Sequence, residues 1–243
     1  MRIAVISDIH GNLEALNQVL VDLDGANIHR VICLGDSLGY GPEPEAVVNT
    51  IRAREIPAVL GNHELAMLDP AYCKRLNPAT RESVRITRTL ISESTSDYCR
   101  SLPKVLEQEG ALFVHGSPPD SVTRYLFRPS TTLLGKLFAS FSERFCFVGH
   151  THDLGLFVAD GPYRIRIELC KGRHPLNHGR RYIVNVGSVG QPRDGNNNAK
   201  YVIWDQEAED LEVRFVPYDI KSTADRIIAL GFPEFNATRL WGA

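Results

Sequence analysis

The strongest constraint in the sequence is a repeated arrangement. A short apolar run ends abruptly in residues that can hold a cation or a proton. Ala4-Val5-Ile6-Ser7 leads into Asp8-Ile9-His10, Val31-Ile32-Cys33-Leu34 into Gly35-Asp36, and Ala58-Val59-Leu60 into Gly61-Asn62-His63. Further on, Leu112-Phe113-Val114 ends in His115, and Phe147-Val148-Gly149 ends in His150-Thr151-His152. Runs this short and this rich in β-branched or aromatic residues read as buried strands. Helical patterns separate the first three. Asn12 is a candidate N-cap for a helix with Leu13, Leu16, Val19, Leu20 and Leu23 on one face. Pro44 suits the first turn of a second helix carrying Val47, Val48 and Ile51. Strand, helix, strand, helix, strand implies parallel strands joined by crossover helices. In open α/β sheets ligands bind at the carboxyl ends of the strands, where these polar residues fall.

The remainder has a different texture. Residues 64–102 are polar, interrupted by Pro70 and Pro78, and read as helical in pieces. From residue 111 onward strands dominate, several alternating apolar and polar residues as half-buried antiparallel strands do. A helix is expected over 222–230 with Gly231 past its end, and the last dozen residues read as a loosely ordered tail. A chain of 243 residues fits one domain, here 1–243 with a mainly helical insert at about 64–110.

Composition narrows the function classes. Hydrophobic residues make up 43% and charged residues 23%, which excludes a disordered or fibrous chain. A formal net charge of −2 offers no electrostatic footprint for long nucleic acid or an anionic membrane. No apolar run approaches the ~18 residues of a membrane span, and the N-terminal apolar stretch stops at Asp8, too soon for a signal peptide. None of the five cysteines forms a C-x-x-C pair, so free thiols and a cytoplasmic location are expected.

The strand-end residues are Asp8, His10, Asp36, Asn62, His63, His115, His150 and His152. Taken singly, Asp8 and Asp36 are ordinary turn or cap residues, Asn62 suits a left-handed turn, and His115 suits a loop. Taken together, carboxylate, carboxamide and imidazole form a donor set for borderline or hard divalent cations. They exceed the ~4 ligands one zinc-like ion takes. With one carboxylate shared, they suit two ions ~3.5–4 Å apart.

D-x-H, then G-D, then G-N-H-E, a lone strand-end H and finally G-H-x-H, in that order, resemble the calcineurin-like metallophosphoesterases over roughly residues 3–190. The resemblance implies a four-layer αββα sandwich of two mixed β-sheets flanked by helices. It also implies two divalent metal ions, manganese first, with iron, zinc, cobalt or nickel as alternatives. Asp8, His10 and His152 would bind one, Asn62, His115 and His150 the other, and Asp36 both. A hydroxide bridging the metals would attack phosphorus in line, and His63 would contact the phosphate and protonate the leaving group. An unperturbed imidazole, with a pKa near ~6.5, has a proton to give at neutral pH.

The loop Gly187-Ser188-Val189-Gly190-Gln191-Pro192-Arg193 resembles that of the small bacterial phosphodiesterase branch. The protein Ser/Thr phosphatases of the superfamily instead continue G-D-x-V-D-R-G, whereas this chain reads Gly35-Asp36-Ser37-Leu38-Gly39-Tyr40-Gly41. The Asp and Arg of that pattern are absent. The expected activity is hydrolysis of phosphodiester or pyrophosphate bonds in a small nucleotide-like substrate. The alternatives are a phosphoprotein phosphatase and a non-catalytic protein-binding scaffold. Candidate substrate contacts are Arg81, Arg85, Arg124, Arg193 and Tyr40, with Tyr125 able to stack on a base. The oligomeric state has no sequence signal.

Overall fold

The computed structural model describes residues 1–242. Strand β1 (Arg2–Ile6) is followed by helix α1 (Leu13–Asp24), strand β2 (Arg30–Cys33) and helix α2 (Pro44–Ala53). The Asn12 side chain accepts from Ala15 N and so starts α1, and Pro44 opens α2, as their positions in the sequence lead one to expect. β1 and β2 are parallel, with Ala4 opposite Val31. The run at 56–60 does not become a full strand. Ala58 makes a single bridge to Cys33, because Pro57 has no N–H to donate and Leu60 N turns instead to Pro103 O.

Helices α3 (Asn62–Leu68), α4 (Pro70–Lys74), α5 (Pro78–Leu90) and α6 (Glu93–Ser101) follow. Next come β3 (Val105–Gln108), β4 (Ala111–Val114), α7 (Thr131–Phe138), β5 (Phe145–Val148), β6 (Leu154–Asp160), β7 (Tyr163–Ile167) and β8 (Gly172–Pro175). The chain closes with β9 (Arg181–Val186), β10 (Ala199–Asp205), β11 (Asp210–Val216), α8 (Ile220–Ala229), α9 (Glu234–Thr238) and a 3-10 turn at Arg239–Trp241.

The strands form two mixed sheets, ordered β2-β1-β10-β11-β8 and β3-β4-β5-β9-β6-β7. Their inner faces meet in one apolar layer. Ile3, Val5, Ile32, Trp204 and Val213 of the first sheet pack on Phe113, Phe145, Phe147, Leu156 and Val184 of the second. The outer face of the first sheet (Ala4, Ile6, Tyr201, Ile203) is covered by Leu16, Val19 and Leu20 of α1 with Val47 and Ile51 of α2. The outer face of the second (Leu112, Val114, Cys146, Val148) is covered by Leu134, Leu137 and Phe138 of α7. Helix, sheet, sheet and helix thus stack as the αββα sandwich.

Two expectations need correction, and one helix, α7, lies among the strands that dominate after residue 111. β4, β5 and β9 pair in parallel rather than antiparallel, and β4 and β5 are buried throughout, because the other sheet covers one face and α7 the other. Of the expected tail, residue 243 lies outside the described residues, and the stretch before it is not loose: Ala237 and Leu240 are buried against Ile86, Ile227 and Phe232. Among the described residues no helix is long and apolar enough to cross a membrane.

Candidate metal centre

The polar residues gather where β1, β2, β4 and β5 end. Asp8, His10, Asp36, Asn62, His63, His115, His150 and His152 are all buried. Five of them (Asp8, His10, Asp36, His150 and His152) have positive φ, between 51° and 67°. They lie two to four residues past the ends of β1, β2 and β5.

The imidazoles are held in defined tautomers. A carbonyl only accepts, so the ring nitrogen facing one carries the proton. Nδ1 of His10 faces Leu38 O at 3.0 Å, Nδ1 of His115 faces Leu34 O at 2.8 Å, and Nδ1 of His152 faces Gln191 O at 2.5 Å. Their other ring nitrogen, Nε2, therefore points inward, with a lone pair once any proton on it has left. His150 is turned the other way: Nε2 faces Thr123 O at 3.3 Å and Nδ1 points inward. Carbonyl partners of this kind orient metal-binding imidazoles.

The inward atoms fall into two sets. In the first, His152 Nε2 lies 3.1 Å from His10 Nε2 and 3.2 Å from Asp8 Oδ1. In the second, His115 Nε2 lies 3.0 Å from Asn62 Oδ1 and 3.2 Å from His150 Nδ1. Asp36 Oδ2 stands between them, 3.7 Å from His10 Nε2 and 3.3 Å from His115 Nε2. Lone pairs facing one another in a buried space repel unless something positive lies among them. Asp8 Oδ1 is buried without a hydrogen-bond partner, while Asp8 Oδ2 is occupied by Ser7 Oγ and His150 N. An orphaned carboxylate oxygen amid imidazole nitrogens fits a divalent cation.

The rest of the G-N-H-E block supports this arrangement. Glu64 is buried and accepts four backbone N–H groups, those of Asp36, Ser37, Leu38 and Gly61, at 2.7–3.2 Å. It ties the β2 loop to the start of α3 and so fixes Asp36 relative to Asn62. Sequence reading left this Glu without a role. A Cβ on Gly149 would overlap Ser7 Oγ and approach Asp8 Oδ2, so the close approach there requires glycine.

Residues 1–209 match the calcineurin-like phosphoesterase superfamily domain. The chain belongs to the calcineurin-like phosphoesterases. It is a metal-dependent phosphoesterase. The chain is 34% identical to a metallophosphoesterase from Sphaerobacter thermophilus, with a TM-score of 0.87 over 100% of both chains. An uncharacterized protein of Methanocaldococcus jannaschii is 34% identical over 244 residues, covering 98% of this chain and 97% of that protein. A hypothetical protein from Pyrococcus horikoshii shares the fold, with a TM-score of 0.81, 21% identity, and 98% and 97% of the two chains covered.

The electrostatics of this phosphoesterase centre depend on its carboxylates. Burial opposes ionisation of Asp8 and Asp36, but the surrounding imidazoles, His152 for Asp8 and His115 for Asp36, outweigh it and hold both well below the usual carboxylate range. Burial pushes His63 and His150 down to about 3 and His152 down to about 4. His115 goes the opposite way: burial lowers it, but Asp36 and then Asp8 raise it to about 9. Near pH 7 the cation-free protein therefore carries a proton on His115. A cation taken by its Nε2 must expel that proton, so binding should release about one proton and strengthen as pH rises toward 9. Calorimetry in buffers of different ionisation enthalpy measures this. Binding without proton release would remove His115 from the ligand set.

His63 stands beside the two sets, its ring edge-on to His10 (centroids 4.7 Å apart) and to Tyr40 (4.4 Å). Its backbone N–H donates to Asp36 Oδ1 at 2.8 Å, but its Nδ1 is buried without a partner. The Asp that the Ser/Thr phosphatase pattern would place after Leu38 is Gly39 here. A Cβ on Gly39, whose φ is +86°, would overlap His63 Nδ1. Gly39→Ala should therefore displace the imidazole and lower turnover by about 10²-fold, comparable to losing a proton donor, with the metal content kept. Turnover and metal content measured on the same preparation check this.

Of the proposed substrate contacts, Tyr40 and Arg193 border the site and line one cavity with Asn62. Tyr125 lines it too and stacks on His150 at 3.7 Å. Arg124 is exposed and follows Thr123, whose carbonyl faces His150. Arg81 and Arg85 are not brought there. Arg81 donates to Lys74 O, and Arg85 forms a bidentate pair with Glu82 on the exposed side of α5. Sequence reading missed Phe235, Asn236 and Arg239, which line the same cavity from the chain's end. Nothing in their spacing marks them.

Proposed function

We propose that residues 1–243 act as one domain that holds two divalent cations, manganese first among them. We further propose that it hydrolyses phosphodiester or pyrophosphate bonds in a small nucleotide-like substrate. The observation that supports this is the division of seven donor side chains into two sets that share Asp36 Oδ2. On this reading Asp8, His10 and His152 hold one ion, Asn62, His115 and His150 the other, and Asp36 both. Cations so held supply an activated water and neutralise phosphoryl oxygens.

The chain's own residues do the remainder. Glu64 keeps Asp36 in place, and the carbonyls of Leu38, Leu34, Gln191 and Thr123 keep each imidazole aimed. His63 is assigned the proton given to the leaving oxygen. An ordinary imidazole pKa does not describe it, because burial leaves His63 neutral near pH 7 in the free protein. An anionic phosphate beside the ring favours its protonated form, so His63 takes up its proton as substrate arrives.

A phosphoprotein phosphatase is disfavoured by Gly39 and Tyr40 at the positions of that pattern's Asp and Arg. A scaffold without catalysis has no use for seven aimed donors. Protein loaded with Mn²⁺, Ni²⁺, Co²⁺ or Zn²⁺ should hydrolyse bis(4-nitrophenyl) phosphate. Inertness with every one of these ions, and toward a panel of nucleotides, overturns the reading.

A further inference from the structure

The cavity beside the metal centre has a chemistry of its own. It measures about 240 Å³ and runs from Asn62 and Tyr40 to Phe235 and Arg239, with Tyr125 and Arg193 on its walls. A second opening of about 350 Å³ is lined by the same two arginines. Both guanidinium groups are lodged on aromatic rings. Arg239 lies 4.0 Å over Phe235, and Arg193 lies 5.9 Å over Tyr40. Arg193 donates through Nη2 to the Gln191 amide oxygen, and its Nε is buried without a partner. Neither forms an ion pair among the described residues. The two lie close enough that the charge of Arg193, after burial, disfavours the charge of Arg239. Like charges brought together at a cavity wall are relieved by an anion between them, and paired guanidinium forks match phosphate oxygens.

We propose that Arg193 and Arg239 form a second anion subsite, which holds a phosphate one anhydride bond away from the phosphorus at the Asp36 centre. The preferred substrates are then nucleoside di- and polyphosphates rather than simple diesters. This rests on the phosphoesterase reading above and names its substrate class. The aromatic wall supports it: Tyr125 lines the cavity half-exposed, its ring stacked on His150 and on Phe127, and its exposed edge can meet a base. In the reaction, the oxygen of water bonds to the phosphorus at the centre and the bridging P–O bond breaks. His63 gives its proton to the leaving phosphate; of the two protons of that water, one restores His63 and the other goes to the medium. The leaving phosphate departs from the guanidinium pair.

The test compares ADP with bis(4-nitrophenyl) phosphate on manganese-loaded protein. Arg239→Gln should lower the ratio of the two kcat/KM values by about tenfold or more, chiefly through KM for ADP, and Arg239→Lys should restore part of it. Calorimetry with α,β-methylene-ADP should show binding weakened by about the same factor in Arg239→Gln. An unchanged ratio with unchanged binding overturns the subsite, as does an equal fall for both substrates with unchanged binding. If the wild-type protein hydrolyses neither substrate, nor any of the nucleotide panel with Ni²⁺, Co²⁺ or Zn²⁺, the phosphoesterase reading fails. The binding arm still decides whether the arginines hold a second phosphate.

Discussion

Asp36→Asn should lower kcat/KM by about 10³-fold and weaken both cations together, because a carboxamide cannot bridge two positive charges as a carboxylate does. The substitution keeps the local structure. A carboxamide oxygen can still accept from His63 N, as Asp36 Oδ1 does at 2.8 Å, and Asn tolerates the φ of 52° found there. Loss of activity with an intact fold, and with metal content reduced toward zero rather than to half, is the expected result. Retention of one tightly bound ion would instead place Asp36 in a single set.

His63→Gln should behave differently. Metal content should hold, while turnover falls by about 10²-fold or more. The imidazole touches His10 and Tyr40 through its ring edges, and its Nδ1 has no partner. However, the donor atoms of His10, Asp36 and His63 also fall within 4.8 Å of one another, so spacing alone does not separate His63 from the ligands. Metal analysis of this variant does. If the ions leave with the imidazole, His63 is a ligand and the proton donor must be sought elsewhere. The fall should be largest for substrates with poor leaving groups, which need the proton most.

Much of the centre was legible because its residues sit where apolar runs stop. Ile3–Ile6, Ile32–Cys33 and Phe145–Val148 are short, β-branched or aromatic runs that read as buried strands, and a polar residue just past such a run falls at the sheet edge. Two of the four edge strands, β3 and β8, were not legible. Val105–Gln108 and Gly172–Pro175 carry no strand pattern of their own and pair because β4 and β11 offer open ladders. Ile56–Leu60 shows the reverse: its composition reads as strand, but Pro57 and a competing bond to Pro103 leave one bridge. The cavity wall formed by Phe235 and Arg239 depends on packing between α5, α8 and the chain's end, contacts that no local pattern announces.

The left-handed backbone at Asp8, His10, Asp36, His150 and His152 has a consequence for what can replace them. Residues with a β-carbon lose about 1–2 kcal/mol in that conformation, and Asn, Asp and His are the side chains that most readily adopt it. Those same three side chains are hard or borderline donors for divalent ions. The centre therefore draws on an alphabet filtered twice, once by coordination chemistry and once by torsion angle. Glutamate adopts the conformation less readily, although Glu55, Glu109 and Glu209 do so elsewhere in this chain; near the centre it appears one step behind, as Glu64, on a helix. Alanine scanning of the five positions would confound the two filters, removing a donor and adding torsional strain at once. Asn substitutions keep the backbone and test the chemistry alone.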